Sequence, residues 1–238
     1  MTTAPTPLHR RHVPQPLALT LFGVVVGAAI VLGIVLVHGN TGAPSTLHGS
    51  GKQAVQGRTV APFHAVDLAG ANNVTVYVGG PRSVSVRADD NLIKYVTTRV
   101  RRGTLAIGQS RSFSTSGPMR VEISVPSLDA VTLSGTGVVD VTGVRTARLV
   151  VRVPGSGTLT ATGRATVLDA ALAGAGDVRL QGLVARDVTA TVSGTGRLHV
   201  DATRSLHARL SGTGAIVYSG NPMNVTESST GTGSITRG

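Results

Sequence analysis

The sequence predicts an all-β fold: a parallel β-helix, or solenoid, wound in coils of about 19–20 residues and preceded by one transmembrane helix. Three observations predict it. A glycine-centred phrase recurs six times at nearly constant spacing. Apolar and polar residues alternate on both sides of each copy. A single uncharged run of 21 residues, Leu17 to Val37, stands near the N-terminus.

Residues 1–16 form a short tail that carries Arg10 and Arg11 in "HRRH". The run 17–37, "LALTLFGVVVGAAIVLGIVLV", matches the ~20 residues that a helix needs to cross a bilayer core. Downstream of it the first formally charged residue is Lys52. Positive charge on the N-terminal flank places the tail in the cytoplasm and the rest of the chain outside a cell membrane that is crossed once. The alternative is a cleaved secretory signal, which would leave the domain secreted. Such signals have an apolar stretch of ~7–15 residues and a small-residue cleavage site, and "LVHGNTGAP" is a poor match. A buried core helix would show a polar face, and this run has none. The chain has no Cys, which excludes lipid attachment at cysteine, disulfides and thiolate chemistry. Residues 38–58, rich in Gly, Ser, Thr and other polar residues, read as a flexible spacer leading to a β-helix domain over 59–238.

In that domain the phrases are "LSGTGVVDVTG", "VPGSGTLTATG", "LAGAGDVRLQG", "VSGTGRLHVDA", "LSGTGAIVYSG" and a fading "STGTGSITRG". Their first glycines are Gly135, Gly155, Gly174, Gly194, Gly212 and Gly231, spaced by 20, 19, 20, 18 and 19. Two residues before them stand Leu133, Val153, Leu172, Val192 and Leu210; four before stand Val131, Val151, Ala170, Ala190 and Ala208. After the glycines a second strand places Val139, Leu159, Val178, Leu198 and Ile216 inward, while Thr142, Thr162, Gln181, Asp201 and Ser219 form an outward row. Helices would need apolar spacings of three and four, and each interior glycine would cost them ~1 kcal/mol. The G-x-G is therefore a corner between two strands of one coil, where glycine permits positive φ and close approach of neighbouring coils. A second corner falls at Gly143, Gly163, Gly182 and Gly220. A phosphate loop is excluded by context: no G-K-[ST] follows, and no helix.

Residues 60–128 are less regular but of the same kind, as in "HAVDLAGANNVTVYVGG" with Gly70 at the corner. The order Phe63-x-x-V-x-L, N-N-V-T-V, V-x-V-x-A-D-D-N-L, R-G-T-L-x-I, V-x-V-P-S-L and repeated S-G-x-G resembles the head GIN domain, a bacterial family of adhesin-type domains. The resemblance covers roughly residues 60–238. It implies a right-handed β-helix and an adhesin-like role, and it brings no catalytic residues.

The formal net charge is +11; removing Arg10 and Arg11 leaves +9 on the exported part. Scattered basic residues and 3% aromatics argue against a nucleic-acid partner. Arg152 and Arg209 share the outward column three before the glycine; of Arg179 and Arg197 on the next strand, only Arg179 has outward parity. Arg152, Arg179 and Arg209 form the candidate basic surface, for an anionic envelope polymer, a lipid headgroup or another protein. The plainer reading is charge that keeps the surface soluble. His199 and Asp201, two apart on one strand face with His207 a strand away, lack a third ligand or an activated Ser. Asp140 and Asp177 are out of register for a calcium roll, which needs about six oxygen ligands. Asp89-Asp90, the only adjacent acidic pair, falls at a turn. The expectation is a non-enzyme without cofactor or metal: a displayed binding module or, alternatively, a structural or sensory part that self-associates.

Overall fold

The structure, a computed structural model, describes residues 46–238; the tail 1–16 and the expected transmembrane run 17–37 lie outside the described residues. The N-terminal part comprises β1 (Leu47–His48), β2 (Gln53–Gly57), β3 (Ala65–Leu68), β4 (Asn73–Val78) and β5 (Ser83–Asp89). A single 3-10 turn at Ile93–Tyr95 precedes β6 (Val96–Arg101), β7 (Thr104–Gln109), β8 (Phe113–Ser114), β9 (Arg120–Val125) and β10 (Ala130–Leu133). Then come the long strands β11 (Val138–Val153), β12 (Thr158–Leu172), β13 (Asp177–Val192) and β14 (Arg197–Leu210). The chain ends in β15 (Ala215–Gly220), β16 (Asn224–Ser229) and β17 (Ser234–Arg237). Among the described residues no helix is long and apolar enough to cross a membrane.

Stacked parallel strands make this an all-β solenoid of about five turns. Each of β11 to β14 is bent, so that its first half follows one G-x-G corner and its second half runs into the next. The pre-corner ladder passes from β7 through β3, β10 and the second halves of β11–β14 to β16. The post-corner ladder passes from β9 through β4 and the first halves of β11–β14 to β15 and β17. The register follows the repeat: Val131 faces Val151, Leu149 faces Leu168, and Val139 faces Leu159. The predicted inward columns are buried in both ladders, from Leu133 to Leu210 and from Val139 to Ile216. They build a core of Val, Leu, Ile and Ala between the ladders, with Phe63 as its one fully buried ring.

The two corners differ in what they ask of glycine. At the G-x-G corner the first glycines have no left-handed φ. A Cβ on Gly155, Gly174, Gly194 or Gly212 would instead collide with the carbonyl oxygen of the equivalent glycine one coil below. Close approach, not positive φ, is the requirement there. The second corner adds positive φ to the same close approach, at Gly143 (78°), Gly163 (135°) and Gly220 (85°), where a Cβ would meet the carbonyl oxygens of Val78, Val144 and Ala202. That corner is a bend inside a continuous strand, where the register slips between Val141 and Val144, Thr160 and Gly163, and Leu180 and Val184.

The spacer expected over 38–58 is corrected from Leu47 onward. There the chain is paired strand: β1 lies parallel to β8, and β2 runs antiparallel to β5. The buried Asp89 carboxylate holds this segment in place, accepting from Ser116 N (2.9 Å) and Gln53 Nε2 (2.8 Å). Ser50 adds bonds to the Asp90 and Asn91 side chains. Among the described residues the folded unit therefore includes Thr46 to Arg58 as well as the stretch from residue 59 onward. Asp89→Ala removes the two hydrogen bonds that tie β2 and Ser116 to β5; the expected loss is about 1 kcal/mol of unfolding free energy, read as a lower urea midpoint.

Candidate functional site

Because coils stack in register, surface columns run across the strands at roughly 4.8 Å per rung. Along the first corner this produces an open groove of about 490 Å³. Thr195, Thr213 and Thr232, the middle residues of three G-x-G copies, line it with Asp177, Arg197 and Ser234. Arg197 is exposed between the inward Leu198 and the corner, so the inward parity assigned to it is corrected. Its register neighbour Asp177 pairs instead with Arg179, Nε to Oδ2 at 2.9 Å, leaving the buried Oδ1 without a partner.

The three predicted arginines are not brought together. Arg179 lies on the post-corner ladder and is neutralised by Asp177. Arg152 and Arg209 share the pre-corner ladder, exposed, in the column Arg152, Ala171, Thr191, Arg209. Three rungs separate them, roughly 14 Å. Neither has an ion pair among the described residues. A shallow depression of about 90 Å³ lies beside Arg152, lined by Val150, Ala171, Thr189 and Thr191. The nearby Asp169 carboxylate is engaged by Arg148.

His199 and His207 occupy opposite halves of β14, on different ladders, so they form no joint site. Asp201 accepts from Ser219 Oγ at 2.9 Å. Among the described residues no group of three or more His, Asp or Glu side chains is placed to hold a metal.

The bend between ladders carries an ion-paired ridge: Arg148 with Asp169, and Arg186 and Arg204 with Asp187. Hydrogen bonds from Arg204, then from Ser205, hold the Asp187 carboxyl below its ordinary value of 3.8. The Ser50 hydroxyl does the same for Asp90. A depressed folded-state pKa means stability present above 3.8 and lost as pH falls through the folded value. The expected outcome is a small acid-side loss, screened because the pairs are exposed. Asp187→Asn and Asp90→Asn should flatten it in urea midpoints compared at about pH 6 and about pH 3.

Residues 62–222, more than half of the chain, match the family described as "Putative auto-transporter adhesin, head GIN domain". The chain belongs to the head GIN family. Its fold is similar to that of a "putative adhesin" from Bacteroides fragilis, at 23% identity and a TM-score of 0.66, covering 80% of this chain and 99% of that one. It is similar also to a "putative lipid binding protein" from Parabacteroides distasonis, at 20% identity and a TM-score of 0.54, covering 81% and 99%. No curated protein matches the sequence. The Bacteroides fragilis chain is matched almost end to end, and in this protein Thr46–Gly238 forms one compact unit. The family match starts after β2 and stops before β16, so the paired N-terminal segment and the last coil flank the matched region.

Proposed function

We propose that this head GIN chain is a membrane-anchored, extracytoplasmic binding or adhesion module, non-enzymatic, that recognises an anionic component of the cell envelope along its pre-corner ladder. In this reading residues 17–37 are the anchor, the N-terminus is cytoplasmic, and the coils are right-handed, the hand that parallel-strand connections favour. The observation that carries it is the pair Arg152 and Arg209, exposed and without counter-ions, across a strip of small side chains. Fixed cations on a rigid sheet lose little entropy when a polyanion lies across them. Adhesin-type membership and an all-β solenoid support a binding role.

The test is retention of the unit Thr46–Gly238 on immobilised anionic and neutral polysaccharides. Retention on the anionic support should fall steeply with salt, and Arg152→Ser/Arg209→Ser should weaken it by about tenfold. Equal retention of both proteins at low salt would overturn the ligand reading. Anchoring has its own readout: protease added outside intact cells should cut the exported chain and spare an N-terminal tag.

A second reading, self-association, rests on a different observation. Two large apolar side chains beside the last coil are exposed, Met223 at 78% and Val225 at 42%. Concentration-dependent sedimentation without any ligand would favour it.

A further inference from the structure

At the N-terminal end of the solenoid, β2 and β5 pair as far as Gly57 and Ser85, and Arg58 N donates to Val84 O at 2.8 Å. Beyond that rung the two segments part, because the chain leaves to bury Phe63 in the core. An open groove of about 610 Å³ remains between them. Arg58, Thr59, Arg82 and Ser83 contribute every polar side chain of its lining, and none is acidic.

Arg58 is held by the fold, and Arg82 is exposed against the Phe63 ring. The Arg58 Nη2 donates to the carbonyls of Ile93 (2.8 Å) and Val96 (3.3 Å), at the end of the 3-10 turn, while its Nε is buried without a partner. The Arg82 guanidinium lies over the Phe63 ring, 5.9 Å from its centroid. Neither has a carboxylate partner among the described residues. A guanidinium partly withdrawn from water keeps its charge, so the unmet need is for an anion rather than for deprotonation. Two guanidinium groups with two hydroxyls offer donors in more than one plane, which suits a tetrahedral oxyanion better than a single planar carboxylate.

We infer that this groove is a binding site for a phosphate-type oxyanion, whether free or carried on a lipid headgroup. It uses none of the residues of the pre-corner surface and stands independently of the polymer reading. Phosphate oxygens take hydrogen bonds from Arg82, from free N–H groups of Arg58, and from Thr59 and Ser83, and the anion supplies the counter-charge that the fold lacks.

The test titrates inorganic phosphate into Thr46–Gly238 and follows the arginine Nε–H resonances, with chloride at matched ionic strength as control. Saturable shifts at Arg58 and Arg82 are expected, absent with chloride. Arg82→Ser, at an exposed side chain, should keep the thermal midpoint and weaken phosphate by about fivefold or more. Arg152→Ser/Arg209→Ser should leave phosphate binding unchanged. Vesicles of phosphatidylglycerol and phosphatidylcholine distinguish the sources. Phosphate-competed binding to the former supports a headgroup ligand; saturable phosphate binding with no vesicle binding supports the free ion. Shifts that never saturate, or that persist equally in Arg82→Ser, would overturn the site.

Discussion

Gly174→Ala should destabilise the domain by about 3 kcal/mol or more, whereas Gly57→Ala should change it by less than about 0.5 kcal/mol. A Cβ on Gly174 would strike the backbone carbonyl oxygen of Gly155. Backbone cannot rotate aside as a long side chain can. The coil above offers no room either, because Gly194 is stacked on Gly174 in the same way. Making space means parting the coils, and that stretches the bonds that Ala173 N and Gly174 N donate to Val153 O at 3.1 and 3.2 Å and the bond that Asp177 N donates to Gly157 O at 3.1 Å. Nothing lies within 4 Å of a Cβ on Gly57, and its φ is not left-handed. Gly143, with φ of 78° at the second corner and a Cβ that would lie 2.7 Å from the Val78 carbonyl oxygen, should fall between them at about 2 kcal/mol, the left-handed backbone and a milder clash than at Gly174 acting together. Urea midpoints of the three variants test the order. If Gly174→Ala unfolds within about 0.5 kcal/mol of the parent, close coil contact is not what the repeat glycine serves.

That ordering shows what the sequence made legible and what it hid. The inward columns could be read because parallel in-register stacking repeats one environment: Leu133, Val153, Leu172, Val192 and Leu210 all meet the same core. The glycine corner could be located by its period, but which physical demand it met could not. Two glycines of one coil look alike in sequence, yet one only avoids a carbonyl while the other avoids a carbonyl and also holds a positive φ. The N-terminal segment was hidden for another reason. β2 is short and exposed, and its order comes from a partner remote in sequence, β5. The buried Asp89 that fixes it carries no local signature, since its donors Gln53 and Ser116 are remote in sequence. Arg197 directly precedes the inward Leu198, so the period of two itself places it outward, where the structure has it. Among candidate site residues, Arg152 and Arg209 could be grouped because they share one repeat column. Arg58 and Arg82 could not, because they meet across an antiparallel pair outside the repeat.

Deleting Glu227 to Gly238 should leave a folded domain that aggregates at concentrations where the parent stays monomeric. The deletion removes half of β16 and all of β17. In the parent these strands cover Leu206 to Leu210 on the pre-corner ladder and Ala215 to Tyr218 on the post-corner ladder. They are poor templates themselves. Glu227 pairs with Ala208 in an inward column, Ser229 pairs with Leu210, and every residue of β16 is exposed. A charge and a hydroxyl where a further coil would need Val or Leu discourage the addition of another strand, as edge strands of soluble proteins do. Without them the edge becomes β15 and the end of β14 from Ala208, which alternate in phase with a complete apolar core and carry Leu210 and Ile216, both buried in the parent. Uncovering those side chains costs about 1.5–3 kcal/mol each when exposure is full. For a unit of this size that lowers the thermal midpoint by roughly 10 °C. Sedimentation and thermal melts of the truncated and parent domains check both effects. The sharper control keeps the chain length and replaces only Glu227 with Val: the coil stays covered, so the midpoint should hold while the tendency to associate rises. A truncated domain that melts like the parent and stays monomeric would mean that the sixth repeat neither covers nor blunts the stack.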